Sequence, residues 1–292
     1  MIASLYIGSK TFTHNGTDAD LTVLKKLDGL NDLIQKLKNS TDNIFYVNRD
    51  DLLVTRLLQD GSTIGDIIST NRKINRDVFN IFLLLLGVCR QANLNFSDLL
   101  EYLNLEDEDN CTALVVFNRI DDLPQSKQVI SNIEGWLQFR RYYLGKYSKT
   151  ADYFITEAGK YFERLTIHPD NKRYIRNFIP SHSHKLVDSL TVLNDHFIND
   201  LEQSQKAYPE FLNDFAIKHS IDGASLQGKK SKKFYFIFYK GTDSEFSAYC
   251  ESHLKIFKDD NNRPIHCRIY FKKPDVEKDD PIIYVGSIGK HL

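Results

Sequence analysis

Near the C-terminus the segments SHLKIF, HCRIYF and IIYVGSIGKHL bring together His253, Lys255, Arg268, Tyr270, Tyr284 and His291. Imidazole exchanges protons near neutral pH, and lysine and arginine neutralise charge that grows on phosphate oxygens in a transition state. A tyrosine ring on the same surface offers a base a face to stack on. Such a set suits the cleavage or the binding of a phosphodiester.

These side chains form a site only if strands carry them. Alternation puts His253 and Lys255 on one side of a strand and Leu254 and Ile256 on the other. The same rule sets Arg268 and Tyr270 against Cys267, Ile269 and Phe271, and Tyr284 against Ile283 and Val285. The connections NNRP and KPDVEKDDP favour turns, so the three segments read as an antiparallel meander. A small sheet that covers helices with one face and shows water the other has the same pattern.

Upstream, KFYFIFY at 233–239 is apolar on both sides and predicts a central strand, while TDSEFSAYC, opened by Thr-Asp, predicts a short helix. Residues 222–233, DGASLQGKKSKK, are small and polar and then basic, and read as a linker. Their lysines, Lys229, Lys230, Lys232 and Lys233, are candidate nucleic-acid contacts beside the sheet, with Tyr284 as a stacking ring. A charged linker accounts for the same lysines.

The first 120 residues alternate strand and helix. IASLYI, NIFYV and TALVVFN read as strands; ADLTVLKKLDGLNDLIQKL, DDLLVTRLLQDG and INRDVFNIFLLLLGVCRQANL read as helices, the last apolar nearly all round. This favours a small α/β layer. From 126 to 220 the periodicity is helical, with Trp136, Arg140, Tyr143 and Tyr147 spaced as a core stripe. The domains expected are thus 1–221, α/β and helical, and 234–292, a small antiparallel sheet, and the class is α+β.

A net charge of -1 over 292 residues gives no global attraction to nucleic acid or anionic membranes, so a polyanion site has to be local. Four cysteines without CxxC spacing argue against zinc and against a disulfide scaffold, and point to reduced thiols in a cytoplasm. The N-terminus lacks the pattern of a signal peptide, and FNIFLLLLGVC is too short to span a bilayer. IGSKTF at 7–12 is too poor in glycine for a nucleotide loop, and LEDEDN at 105–110 and Asp121 and Asp122 read as solvated loops. In SHSHK, His182 and His184 diverge on a helix, which Ser181 or Ser183 would open after Pro180. No metal or other cofactor is implied.

The run RIYF, a polar turn and IIYVGSIGKH resembles the closing hairpin of RelE-like ribonuclease toxins, and a strand-helix-strand-strand-strand order over 233–292 is similar to that fold and its barnase-like relatives. The resemblance implies a bacterial, cytoplasmic, metal-independent ribonuclease of a toxin or antiphage-defence system. In it Lys255 and Arg268 stabilise phosphate, His253 or His291 carries the proton, and Tyr270 lies in the catalytic set. RNA and an antitoxin or defence subunit are the implied partners, with a homo-oligomer also open. A competing pattern, H-x-K-x4-D through His253, Lys255 and Asp260, matches phospholipase-D-type phosphodiesterases without their Gly-Ser step. The other class of reading is a non-catalytic module that binds protein or nucleic acid within a defence assembly.

Overall fold

The computed structural model describes all residues except 15–19, 71–75, 106–110, 119, 121–122, 124–125, 229–230, 260 and 278–280. Two compact units divide at Arg140/Arg141. The first contains β1 (Ala3–Ile7), α1 (Asp20–Leu37), β2 (Asn43–Val47), α2 (Arg49–Leu53), α3 (Ile64–Thr70), α4 (Arg76–Val88), β3 (Arg90–Gln91), α5 (Phe96–Asn104), β4 (Thr112–Val115) and β5 (Val129–Ile130). Helix α6 (Ile133–Tyr147) runs across the division. The α+β class read from the sequence holds.

In the first unit all five strands are parallel, in the order β3-β2-β1-β4-β5. A parallel sheet is covered on both faces, which is why β4 is buried at every position. The strand order reverses between β1 and β4, where doubly wound sheets open a ligand crevice at the carboxyl ends. Here a short turn, Ser9–Phe12, fills that place. The Thr11 hydroxyl accepts from the Phe117 amide at 2.9 Å, and the Phe12 and Phe117 rings stack at 4.9 Å. The glycine-poor IGSKTF segment is thus a plug.

The second unit contains α7 (Ala151–Tyr161), β6 (Leu165–Ile167), α8 (Asn171–Tyr174), α9 (Ile179–Asp195), α10 (Phe197–Gln203), α11 (Tyr208–Lys218), β7 (Gly223–Leu226), β8 (Tyr235–Phe238), β9 (Phe246–Tyr249), β10 (Ser252–Lys258), β11 (Pro264–Phe271) and β12 (Ile283–Gly289). Strands β10, β11 and β12 form the antiparallel meander expected, within a five-stranded sheet of order β6-β12-β11-β10-β7. Strand β6 adds in parallel to β12, and β7 antiparallel to β10.

Five expectations are corrected. The boundary at 222–233 moves to Arg140/Arg141, because the helical middle belongs to the C-terminal sheet. Strand β6 completes one edge of it, and the helices cover one face: Phe197 meets Phe271 edge-on at 5.0 Å, and the Tyr208 and Ser252 hydroxyls lie 2.9 Å apart. The linker itself contains β7, whose small residues let it lie flush against β10. KFYFIFY is not a central strand: β8 pairs only with β9, and this ribbon buries Phe236 and Phe238 while Tyr235 and Ile237 face out. TDSEFSAYC holds a strand, β9, and no helix. Tyr239 and Gly241 take φ of 53° and 80°, and the Thr242 hydroxyl donates to the Tyr239 carbonyl at 2.7 Å, which turns the chain back as a hairpin. Helix α9 also starts earlier than expected, at Ile179, with Pro180 in its first turn.

Buried cations knit the elements. Arg140 is fully buried, its guanidinium donating to the Met1 carbonyl at 2.6 Å, and Tyr143 is buried beside it in sequence, as the core stripe predicts. Arg141 donates twice to the Tyr161 carbonyl, at 3.0 and 2.7 Å, and pairs with Asp195 at 2.7 Å. Asp195 keeps water and Asn194 as partners, so the main loss in Arg141→Met is the pair of donors to the Tyr161 carbonyl, and the variant is expected to destabilise the second unit by about 1–2 kcal/mol in urea titrations. All four cysteines are free and buried, and burial pushes Cys89, Cys250 and Cys267 up to about 12, which makes them poor nucleophiles. No helix among the described residues is long and apolar enough to cross a membrane.

Candidate nucleic-acid interface

The register of the C-terminal sheet arranges the candidate residues in two rows. One runs Ser225–His253–Tyr270–Ser287 across β7, β10, β11 and β12, and the next runs Gly223–Lys255–Arg268–Gly289. Directly opposed residues of an antiparallel pair project to the same face. His253, Lys255, Arg268 and Tyr270 therefore share one side, as alternation predicts, with Leu254, Ile256 and Ile269 buried on the other.

The two rows differ in what they can do. The first is sealed: His253 is 2% and Tyr270 0% exposed. His253 Nδ1 faces the Glu251 carbonyl at 3.4 Å and Nε2 faces the Ser225 hydroxyl at 3.1 Å. A carbonyl can only accept, so the proton sits on Nδ1 and the Ser225 hydroxyl donates to Nε2. Burial, with Arg268, Lys255 and His291 nearby, depresses the imidazole to about 4, against the Glu251 carbonyl. A neutral ring with both nitrogens engaged does not exchange protons with a substrate near pH 7, so the geometry places His253 in a structural role.

That depression has a measurable consequence. The folded state disfavours protonation and the unfolded chain does not, so the stabilisation is complete above pH 6.5 and is lost as pH falls toward 4. Urea melts at pH 7 and pH 5 should differ by about 1–2 kcal/mol more for the natural protein than for His253→Gln.

The second row stays accessible. Lys255 and Arg268 are half-buried, directly opposed, and flanked by glycine on both outer strands. A side chain at 223 would press on the Lys255 stem, since a Cβ there would lie 3.3 Å from Lys255 Cδ. Among the described residues no carboxylate pairs with either cation; Arg268 donates only to the Tyr270 hydroxyl, at 3.2 Å. Like charges directly opposed destabilise a sheet unless an anion bridges them. Gly223 is half-buried beside the Lys255 stem, whereas Gly289 is buried against Tyr174 and Phe178.

His291 is exposed just past β12 and lines a cleft with Lys290, Arg173 and Tyr174. Tyr284, expected as a free stacking ring, is instead half-buried in an aromatic cluster with Phe238 at 5.0 Å and Phe246 at 4.8 Å, because the β8–β9 ribbon folds over it. Tyr270 is covered by the same ribbon, its ring 5.4 Å from Phe234. Of the four linker lysines, Lys232 and Lys233 are exposed on a short helical turn, while Lys229 and Lys230 lie outside the described residues, as do Asp260, the run 106–110, Asp121 and Asp122.

One group escaped the sequence reading. His219, at the end of α11, is held by Asp200 of α10, Nε2 to Oδ2 2.7 Å, with Lys218 on the other carboxylate oxygen at 2.7 Å. Burial raises the Asp200 carboxyl, but the bonds from Lys218 and His219 outweigh it and hold it below the usual range. The carboxylate accepts, so Nε2 carries a proton toward it. The His219 ring lies between Phe215 and His196, each at 4.7 Å, and lines a 220 Å³ pocket with Lys255, Lys185 and Ser189. The two partners lie 19 residues apart, across a helix-helix turn, and the segment IKHS by itself says nothing of this.

Among the described residues no group of three histidine, cysteine or carboxylate side chains could hold a metal ion. No protein-family model, no curated protein and no solved structure matches this chain.

Proposed function

We propose that the second unit binds RNA, with backbone phosphates on the Lys255–Arg268 pair. The supporting observation is the pair itself: two opposed cations with no carboxylate between them, on a half-open surface edged by glycine. A phosphodiester supplies the missing negative charge, and successive phosphates extend toward Arg173, Lys290 and His291. In a protein of net charge -1 such a patch acts locally, so binding falls steeply with salt. A bacterial cytoplasm and a role in toxicity or phage defence are the setting this reading takes from the RelE-like resemblance.

A cleaving version rests on a different residue from the one the motif suggests. In it His219, oriented by Asp200 in a pocket at the edge of β10 that Lys255 and Ile256 also line, replaces the sealed His253 as the base for a 2′-hydroxyl, and it stands on the helix-covered side of the sheet, opposite the face of the Lys255–Arg268 pair. The test is a labelled RNA of mixed sequence, read by anisotropy for binding and by gel for cleavage. Binding without cleavage, or cleavage lost in His219→Ala and kept in His253→Gln, fits these readings. Failure to bind RNA even at low salt ends both.

A further inference from the structure

We infer that the cleft between β6 and β8 is a stacking subsite for the bases of single-stranded nucleic acid, continuous with the phosphate site. The inference rests on the RNA-binding reading and adds where the bases go. The cleft measures about 830 Å³, within the range of sites that enclose a ligand of nucleotide size. Three of its walls carry exposed rings: Tyr235 is 52%, Tyr239 47% and Tyr174 40% exposed. Lys232, Lys233 and Lys240 line it as well, with Asp170 as the acidic group among the lining residues.

Exposed rings interleaved with lysines match a strand that offers bases and phosphates alternately. An extended peptide is the other occupant such a place attracts, since β8 is paired on one side only. The backbone argues against it. His168 Nε2 already donates to the Ile237 carbonyl at 3.1 Å, taking the acceptor that an added strand would use. A peptide would also leave three lysines uncompensated.

Two further features point the same way. Tyr239 sits at φ 53°, a region where a bulky side chain is rare and held at a cost, so its ring is kept in a position that glycine would occupy with less strain. Tyr174 lines both this cleft and the one that contains His291 and Arg173. It therefore joins the rings at β8 to the cations beyond β12, and a strand passing Tyr174 meets bases' partners on one side and phosphates' partners on the other.

The experiment compares a ten-nucleotide oligouridylate, an abasic strand of the same length and an acidic tyrosine-containing peptide, by anisotropy, on the full chain. The natural protein should bind the oligouridylate at least about fivefold tighter than the abasic strand. Tyr235→Ala and Tyr239→Gly should each erase that difference without changing the salt dependence, and 5-bromouridine cross-links in the natural protein should map to Tyr174, Tyr235 or Tyr239. Tyr239→Gly relieves its backbone, so its melting temperature should stay close to that of the natural protein. Equal affinity for the two strands, with binding still lost in the Lys255→Ala, Arg268→Ala double variant, overturns the subsite and leaves the RNA reading standing. Binding of neither strand overturns both. Tyrosine-dependent binding of the peptide alone assigns the cleft to protein and overturns the proposal.

Discussion

Replacing Lys255 and Arg268 together by alanine should weaken RNA binding by about tenfold or more at physiological salt. The two residues are opposed in register on one face of β10 and β11, without a carboxylate partner among the described residues. Their repulsion is of the order of a few tenths to 1 kcal/mol in the free protein. Lys255→Ala is therefore expected to melt at or above the natural protein, while Arg268→Ala also removes the donor to the buried Tyr270 hydroxyl and should cost about 1 kcal/mol. On a single strand each phosphate contact contributes about 0.7 to the slope of log affinity against log salt, so the double variant should lose about 1.4 of it. An unchanged slope would place the phosphates elsewhere. At Lys255, stability and affinity moving in opposite directions is the signature of a residue kept for a ligand.

The largest effect on folding is expected at Gly286. A Cβ at this position of β12 would lie 2.3 and 2.6 Å from two ring carbons of Phe236 and 2.9 Å from Cys250 Sγ. Glycine is what lets the β8–β9 ribbon rest directly on the sheet, with Phe236 seated over the β12 backbone and against the His168 ring, 5.5 Å away. Overpacking of a dense contact typically costs 1–3 kcal/mol, and this overlap is severe, so Gly286→Ala should destabilise the second unit by about 3 kcal/mol in urea. Phe236→Leu in the same chain should recover part of the loss, because it removes the ring the new methyl strikes. Purely additive losses would mean that the strain lies in the β12 backbone. The ribbon also carries Tyr235 and Tyr239, so Gly286→Ala links this packing to the cleft.

Much of the C-terminal sheet was legible in the residues. Alternation in SHLKIF and HCRIYF is strict enough to assign faces, so that His253, Lys255, Arg268 and Tyr270 share a side follows from a period of two, while the register that pairs His253 with Tyr270 and Lys255 with Arg268 comes from the structure. The three strands of the N-terminal α/β layer were equally plain, because a buried parallel strand needs a short apolar run between helices.

Local pattern determined the three strands of the meander and the strands β1, β2 and β4, with the residues that share a face; it did not determine β3, β5, β6, β7 and β9, or what would lie on top of the sheet. KFYFIFY is apolar enough for a central strand, and only the long-range contacts of Phe236 and Phe238 with β12 and Tyr284 make it a ribbon that shuts Tyr270 and Tyr284 away. His253, expected as a proton carrier, is a buried neutral ring, since desolvation depends on neighbours drawn from the whole unit and not on adjacent residues. The joining of the helical middle to the C-terminal sheet, through β6 on β12, and the meeting of Asp200 with His219 were likewise decided by tertiary packing. Burial and partnership are sums over distant contacts, whereas facing is a property of a few consecutive dihedrals. For that reason the sequence alone could name the two cations that share a face, and the folded chain decided which histidine was sealed beside them and which was held by Asp200.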